Sequence, residues 1–366
     1  MRKRILQIIP TLDQAGAEKQ MSLLARGLPR EEFDLHVCAL SRGGPLFSGL
    51  VEAQIPVTVI GKRWPLDPEA FWRLRSHVAR LRPHLIHTWM LAANAYGYAA
   101  AKAAGVDCLV ASQRCVDPWK GWGQLAVDRY VARHCRRVVV NSPGVRDFYL
   151  RHGLPGEKIR VIPNGVAAAE PTGTTRRQLL AELGLPAGSR LVGLIGRLWP
   201  QKRVKDAIWA ADLLKVIRDD LHLLVIGDGP HRDRLRKFRE QVRIRDKVHF
   251  LGHRGDVPRL LPHLDVLWST SGYEGQSNAV LEAMAAGVPV VASDIPGTRD
   301  LVLPESTGYL VPVGDRAAFA RWTNKLLDDA ELAKRLGQAG RRRVQRDFTV
   351  EKMVRCHAEL YRELLG

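Results

Sequence analysis

The chain has 366 residues, more than one hydrophobic core normally organises, so we expect two domains. Its apolar fraction of 46% is ordinary for a globular protein and argues against a disordered chain, but its formal net charge of +18 is high. This excess favours an anionic partner such as phosphate-bearing small molecules, anionic lipid or nucleic acid, although a solvated basic surface gives the same composition.

Cysteine usage and hydropathy indicate the cellular compartment in which the chain acts. The five cysteines form no C-x-x-C pair and no Cys/His cluster with zinc spacing, which fits a reducing compartment. Arg2-Lys3-Arg4 resembles the start of a signal peptide, but the apolar run Ile5–Ile9 is too short for one. No window approaches the roughly 20 apolar residues that span a bilayer. We therefore expect the chain to act in the cytoplasm, or on the inner face of a membrane.

The first half alternates short β-branched runs with helical patterns, which predicts βαβ units and a parallel sheet. The predicted strands are Ile5–Ile9, Leu35–Leu40, Val57–Ile60, Leu85–Thr88, Leu109–Ser112, Val138–Asn141 and Ile159–Ile162. Helical patterns between them include Ala17–Leu28, Pro68–Leu81 and Gln124–His134.

The alternation pauses at the small, polar, Pro/Gly-rich stretch Ala167–Thr175, which indicates a linker, and then resumes. The later predicted strands are Leu191–Ile195, Leu223–Ile226, Val248–Leu251, Val266–Ser269, Val288–Ala292 and Tyr309–Val311. A helical pattern then runs from Arg316 to the C-terminus, interrupted near Asp347–Thr349. We therefore predict an α/β fold of two Rossmann-like domains, 1–168 and 169–348, that face each other across a cleft. Parallel sheets bind ligands beyond the carboxyl ends of their strands.

Three elements of the second half end predicted strands in succession. Gly196 and Arg197 follow the first strand, with Lys202 five residues later; a glycine loop with two cations suits a diphosphate. Alone, this pattern is also that of an ordinary basic loop. Gly227-Asp228-Gly229-Pro230 follows the next strand and by itself indicates a tight turn before a helix.

The third element runs from Glu274 to Glu282. Ser277 or Asn278 can cap an almost wholly apolar helix, and Glu282 lies in the middle of it. A buried carboxylate needs a hydrogen-bonding partner, which ribose or sugar hydroxyls would supply, although pairing with a basic residue at a domain surface is equally consistent. Taken together and in this order, the three elements predict a nucleotide site.

The sequence resembles the retaining glycosyltransferases of family 4, which have the two-Rossmann-domain GT-B fold. The matching motifs are Gly16-Ala17-Glu18, Val161–Val166, Gly196-Arg197 with Lys202, Gly227–Pro230, the E-x7-E pair Glu274 and Glu282, and Gly308–Pro312. The resemblance implies transfer of a sugar from a nucleotide diphosphate-sugar to an acceptor in glycoconjugate, polysaccharide or lipopolysaccharide biosynthesis.

The resemblance also implies roles for matching positions. Arg197 and Lys202 would stabilise the departing diphosphate, and Glu274 would act at the donor sugar, as the catalytic set. The implied donor-binding residues are Gly16, Gly196, Gly275, Gln276, Ser277, Asn278 and Glu282. No metal or other cofactor is implied, in agreement with the lack of a D-x-D element near a strand end. The last helix, about 349–366, would pack back on the first domain.

One departure concerns the first domain, where many relatives carry a histidine after the strand Leu109–Ser112. Here Arg114 stands in that stretch and could contact phosphate or acceptor, but it cannot act as a base. His87, at the end of another strand, is an alternative that could line the cleft, although a histidine so placed is commonly a packed, satisfied one.

The acceptor side is less defined. Trp119 and Trp122 flank Lys120 in a loop that suits sugar rings or a membrane interface. A basic amphipathic pattern around Trp72 could lie on anionic lipid, or pack with a solvated face. We expect a UDP-, GDP- or ADP-sugar donor, a carbohydrate or lipid-linked acceptor and possible contact with an anionic membrane. We expect no nucleic acid, since no recognised motif accompanies the charge.

Two other functions fit parts of this pattern. A nucleotide-sugar epimerase shares the fold and the ligand type but uses no acceptor. A non-catalytic protein that binds anionic ligands would explain the charge, but it has no need of Arg197, Lys202, Glu274 and Glu282 together.

Overall fold

The computed structural model describes residues 2–168 and 173–366, which fold into two compact units. Unit 1 comprises Met1–Gly165 together with Val350–Gly366, and unit 2 comprises Val166–Thr349. The units therefore divide between Gly165 and Val166, three residues before the predicted boundary. Residues 169–172 of the predicted linker lie outside the described residues.

Unit 1 contains a parallel sheet in the strand order β3-β2-β1-β4-β5-β6-β7. The strands are β1 (Lys3–Thr11), β2 (Phe33–Arg42), β3 (Val57–Val59), β4 (Leu85–Trp89), β5 (Leu109–Gln113), β6 (Arg137–Val140) and β7 (Ile159–Val161). The helices are α1 (Gly16–Gly27), α2 (Leu46–Glu52), α3 (Pro68–Leu81), α4 (Met90–Ala103), α5 (Trp122–His134), α6 (Pro143–Arg151) and α15 (Val350–Leu365).

The core of unit 1 has two layers because its central strands are buried on both faces, as parallel strands are. Helices α3 to α6 cover one face, and α1, α2 and α15 cover the other. Local signals set the helix ends: Asp67 caps α3 and Pro68 occupies its first turn, whereas Arg82 ends it in the left-handed conformation.

Unit 2 contains a parallel sheet in the order β10-β9-β8-β11-β12-β13. The strands are β8 (Arg190–Ile195), β9 (Leu221–Ile226), β10 (Val248–Gly252), β11 (Val266–Ser269), β12 (Val290–Ser293) and β13 (Gly308–Val311). The helices are α7 (Arg176–Glu182), α8 (Val204–Lys215), α9 (Arg232–Gln241), α10 (Val257–Leu260), α11 (Asn278–Ala285), α12 (Pro296–Arg299), α13 (Arg316–Asp328) and α14 (Ala330–Asp347).

The predicted α/β class and parallel sheets are confirmed. Each predicted strand is present, with ends shifted by up to two residues, and the order places β8 between β9 and β11. The three motif loops therefore leave three neighbouring strands at the same edge of one sheet. Within residues 2–168 and 173–366, no helix has the length and apolar character needed to cross a membrane.

Candidate functional site

The loop after β8 folds tightly over Gly196. This glycine has φ +154°, and a Cβ placed on it would lie 2.8 Å from Cε of Lys202. Its N–H donates to the carbonyl oxygen of Ile226 over 2.9 Å. A side chain at Gly196 would displace Lys202, so the glycine lets the lysine chain lie against the backbone.

Lys202 and Glu274, both predicted catalytic residues, form an ion pair. Lys202 Nζ lies 2.5 Å from Glu274 Oε1, and that oxygen also accepts a 2.7 Å bond from Ser271 Oγ. Gln201 Nε2 donates to the second carboxylate oxygen over 3.3 Å. Glu274 is buried, so these bonds fix the carboxylate. An ammonium has three N–H donors, of which Glu274 accepts one, so the geometry suits a lysine that also holds an anion.

Two hydrogen bonds to backbone carbonyl oxygens fasten the Lys202 turn to the Glu274 loop. Gly272 N–H donates to Gln201 O over 2.8 Å, and Thr270 Oγ1 donates to Lys202 O over 2.7 Å. The Lys202–Glu274 pair is thus held by hydrogen bonds to the backbone as well as between side chains, which preorganises it.

Arg197, the third predicted catalytic residue, is arranged differently. Its side chain is exposed, and its guanidinium lies over the ring of Trp199 with Cζ 5.0 Å from the ring centroid. The structure therefore brings Lys202 and Glu274 together but leaves Arg197 at the surface of the same loop.

The Gly227–Pro230 turn packs against this loop. A Cβ on Gly227, at φ +137°, would lie 2.0 Å from Gly196 O, and a Cβ on Gly229 would lie 2.8 Å from Leu198 N. Leu198 N–H donates to Asp228 O over 3.0 Å. Here the glycines serve close backbone packing. Helix α9 begins at Arg232, so Pro230 lies in the turn before the helix.

The segment after Glu274 forms the start of α11. Ser277 Oγ accepts from Val280 N–H over 3.5 Å as the N-cap, while Gly275, Gln276 and Ser277 are buried. Gly297 allows the start of α12 to lie against this segment, since a Cβ there would be 2.4 Å from Gly275 O. The predicted donor-binding residues 275–278 are thus grouped beside Glu274.

Glu282 corrects the expectation of a buried carboxylate. It is half-buried, as is Asn278 one helical turn before it, because α11 buries its Val280, Leu281, Ala283 and Met284 side chains instead. Residues four apart share a helix face, so Asn278 and Glu282 lie side by side at a partly open edge. A ligand can therefore reach the Glu282 carboxylate more easily than it could reach a carboxylate buried in the core.

Arg203 is a residue that sequence reasoning missed. It has φ +49° between the Lys202 turn and α8, and its Nε donates to Asp206 Oδ2 over 2.6 Å. Arg316 Nε donates to the other oxygen over 2.8 Å. A Cβ on Gly272 would lie 3.3 Å from Arg203 Cδ, so Arg203 packs beside the Glu274 loop. Its adjacency to Lys202 was the available signal.

In unit 1, the exposed Gly16 begins α1. The motif that follows it is tied to the Val161–Val166 motif, because Gln20 and Gly165 exchange two hydrogen bonds of 2.8 and 2.9 Å. Glu18 is buried and accepts from Thr11 Oγ1 over 3.2 Å. Trp119 is 56% exposed in the loop before α5. These two motifs are thus joined within one unit.

His87 lies in the core of unit 1 with no exposed surface. Its Nδ1 is 2.6 Å from Tyr361 Oη and its Nε2 is 2.7 Å from Ser112 Oγ, so both ring nitrogens are occupied. The ring stacks between Trp89 and His357. His87 is therefore a buried core histidine with both nitrogens hydrogen-bonded, and neither nitrogen is available to an acceptor substrate.

Burial of His87 and His357 makes unit 1 sensitive to acid. Burial lowers the pKa of His357 to about 3 and that of His87 well below its usual value. The unfolded chain therefore binds protons below pH 6.5 that the folded chain does not, and stability falls as pH falls from there. At pH 5, His357 should cost about 2 kcal/mol relative to pH 7.5, and His87 acts in the same direction.

The check is urea unfolding at both pH values. His357→Met should lose part of the pH dependence, whereas the exposed control His134→Gln should retain it. Equal pH dependence in the wild type and His357→Met would contradict the assignment.

Two families match the chain. The family described as Glycosyl transferases group 1 matches residues 175–343, and Glycosyltransferase Family 4 matches residues 15–170. These two segments fall largely in unit 2 and unit 1 respectively.

Several curated proteins are similar. The UDP-Gal:alpha-D-GlcNAc-diphosphoundecaprenol alpha-1,3-galactosyltransferase of Escherichia coli is 25% identical over 98% of this chain and 96% of that protein. The N-acetyl-alpha-D-glucosaminyl L-malate synthase of Bacillus anthracis is 32% identical over 51% of this chain, which spans 49% of that protein. The chain thus spans nearly all of one relative and about half of the other.

Solved structures share the fold. Anabaena HepE in complex with UDP and glucose aligns over 99% of this chain and all of that one, with TM-score 0.88 and 23% identity. A glycosyltransferase of Rickettsia africae aligns over 100% of this chain and 99% of that one, with TM-score 0.85 and 19% identity.

Proposed function

The chain belongs to the group 1 glycosyltransferases and takes its sugar from a nucleotide sugar, and from that premise we propose a specific reaction. The enzyme transfers a sugar from a UDP-sugar to a lipid-linked diphosphate acceptor with retention of anomeric configuration. The observation that carries the proposal is the Lys202–Glu274 pair at the carboxyl ends of β8 and β11.

The donor and acceptor classes are inferred from relatives. The Escherichia coli relative, spanned over almost its whole length, is named for UDP-galactose and a diphosphoundecaprenol acceptor. Anabaena HepE, which shares the fold, is bound to UDP. These names support a uridine donor over guanosine or adenosine donors, and an acceptor that carries its own diphosphate.

In this mechanism the bond between the donor C1 and the diphosphate oxygen breaks, and the acceptor hydroxyl bonds to C1 on the same face. The hydroxyl proton passes to the departing phosphate oxygen. Lys202, which Glu274 holds in place by the ion pair, stabilises the negative charge that grows on the diphosphate. The Arg197 side chain moves away from Trp199 and adds a second positive charge. The side-chain oxygens of Asn278 and Glu282 accept hydrogen bonds from the ribose hydroxyls. Because cations of the chain neutralise the diphosphate, the reaction needs no metal.

The test is a screen of UDP-, GDP- and ADP-sugars by saturation-transfer NMR, followed by a transfer assay with a diphosphate-lipid acceptor in excess EDTA. We expect the UDP-sugars to bind in preference to the GDP- and ADP-sugars, and the product to keep the donor's anomeric configuration. Conversion of the nucleotide sugar without acceptor would indicate an epimerase instead, and failure of every nucleotide sugar to bind would overturn the proposal.

Exposed apolar side chains of unit 1 support contact with an anionic membrane. Large apolar side chains are exposed on α3, at the start of α5 and on the loops that precede these two helices, namely Trp64, Leu66, Trp72, Trp119 and Trp122. Leu66 is 88% exposed and Trp122 85%. The exposed Arg63 and the half-buried Lys62 lie among them, and tryptophan with cations suits the headgroup region.

We expect co-sedimentation with vesicles that contain phosphatidylglycerol, weakening as salt rises, and little with phosphatidylcholine alone. The double variant Trp64→Ser/Trp122→Ser should lose most of this binding. Ile217→Ser, which removes an exposed apolar side chain from unit 2, is the matched control. Unchanged binding by the double variant would exclude this surface.

A further inference from the structure

Arg114 occupies a position where α/β sheets bind ligands. It follows β5 directly, and β5 lies between β4 and β6. Strand order in unit 1 reverses between β1 and β4, which is the switch point beyond whose carboxyl ends ligands bind in open parallel sheets. Arg114 is therefore one strand away from the switch point, at its carboxyl edge.

The side chain of Arg114 is buried, with 9% of its surface exposed. Its Nη2 donates to Asn164 Oδ1, and its Cζ lies 4.9 Å from the centroid of the Trp89 ring. Its Nε and Nη1 have no hydrogen-bond partner among residues 2–168 and 173–366, and no carboxylate in those ranges pairs with it. Two donor atoms thus lack a protein partner, and among the described residues the positive charge faces an aromatic ring and no carboxylate.

The groups around Arg114 do not neutralise it. His87 and His357 both interact electrostatically with Arg114, which helps to keep them uncharged. Burial alone lowers the pKa of the guanidinium to about 9. A buried cation is costly to leave unpaired, and an arginine in this position would be poorly tolerated unless something compensates it.

The end of the neighbouring strand β6 contributes a second polar side chain with an unpartnered atom. Asn141, just after β6, donates from Nδ2 to the carbonyl oxygen of Arg114 over 3.1 Å, while its Oδ1 has no partner in the described chain. Ser142 then caps the nine-residue helix α6, whose N-terminus adds positive potential. Donors, an acceptor and a helix N-terminus therefore converge at the ends of β5 and β6.

We propose that Arg114 is the anion-binding residue of a substrate subsite in unit 1, and that it takes a phosphate or carboxylate oxygen. The inference rests on the proposed function, in which the acceptor carries a diphosphate. The same chemistry could be presented by the carboxylate of a uronic acid sugar. In either case the bound oxyanion accepts from Nε and Nη1, and a hydroxyl on it can donate to Asn141.

The test uses the whole chain with saturating UDP present, so that phosphate sites of the donor are filled. Methylene diphosphonate and glucuronate are the two probes, titrated by isothermal calorimetry. We expect one of them to bind the wild type and to bind Arg114→Met at least tenfold more weakly. Arg114→Lys should fall between the two, because lysine keeps the charge but loses the paired donors. Arg80→Met, at an exposed position of α3, is the control and should bind like the wild type.

Thermal unfolding of the same variants provides a second readout. Because Arg114→Met removes an uncompensated buried charge, its Tm should equal or exceed that of the wild type. A lower Tm together with unchanged probe binding would make Arg114 a purely structural residue.

The outcomes separate the two proposals. Binding of UDP without binding of either probe, or equal probe binding by the wild type and Arg114→Met, would overturn this inference and leave the donor function intact. Failure of UDP to bind would overturn the proposed function instead. Binding of diphosphonate identifies the acceptor diphosphate as the source of the anion, and binding of glucuronate identifies a uronic acid.

Discussion

Lys202→Ala is expected to lower the rate of sugar transfer by about 10²- to 10³-fold, the usual cost of removing one preorganised group that stabilises developing charge. The Lys202 ammonium nitrogen lies 2.5 Å from Glu274 Oε1, and the lysine side chain packs against Gly196. In the proposed reaction its charge matters most when the diphosphate departs, so kcat should fall more than the affinity for the donor.

The structure supplies controls for this prediction. Glu274 keeps its bonds from Ser271 and Gln201 after the lysine is removed, so the variant should still fold, with a Tm lowered by the loss of the ion pair. Lys334→Ala removes an exposed lysine from α14 and should leave transfer unchanged. Rates within threefold of the wild type in Lys202→Ala would show that another group stabilises the diphosphate.

Gly227→Ala is expected to destabilise unit 2 by about 3–5 kcal/mol, at the upper end for single substitutions. The backbone there has φ +137°, and the new Cβ would lie 2.0 Å from Gly196 O. The obstacle is backbone of the neighbouring loop, which cannot rotate aside as a flexible side chain can. For a domain of this size the corresponding fall in Tm is about 10 °C.

Differential scanning calorimetry with and without UDP would measure this effect. Gly188→Ala is the matched control, because a Cβ on Gly188 meets nothing within 4 Å. The Gly227 variant should also lose UDP binding, since the Gly196 loop must move to accommodate the methyl group. A Tm equal to that of Gly188→Ala would mean that the two loops separate at little cost.

Strands were the most predictable part of this protein. A strand such as β11 (Val266–Ser269) is buried on both faces, so its apolar run is continuous and bounded by polar residues. Helix ends were predictable where a cap specifies them, as for α3 with Asp67 and Pro68. The break between α13 and α14 at Asp329 was missed, because the helical pattern continues on both sides of that residue.

For the candidate site, the sequence names residues but does not specify their geometry. The sequence brings Lys202 and Glu274 into one motif set, but only the fold shows that they pair directly. The exposure of Glu282 depends on which helix face packs inward, and an almost uniformly apolar helix does not specify that. Arg203 escaped notice because its role depends on the left-handed backbone before α8.

Unit 1 is built from two separate segments of the chain, and the second of them is synthesised last. Unit 1 requires Val350–Gly366, where His357 and Tyr361 complete the core around Gln7 and His87. During translation, unit 2 is therefore complete before unit 1. The nascent sheet of residues 1–165 must wait for the helix that covers one of its faces, for roughly 10–40 s at ordinary elongation rates. In that interval the uncovered apolar face is a substrate for chaperones, so removal of the last helix should trap unit 1 with them and leave unit 2 folded.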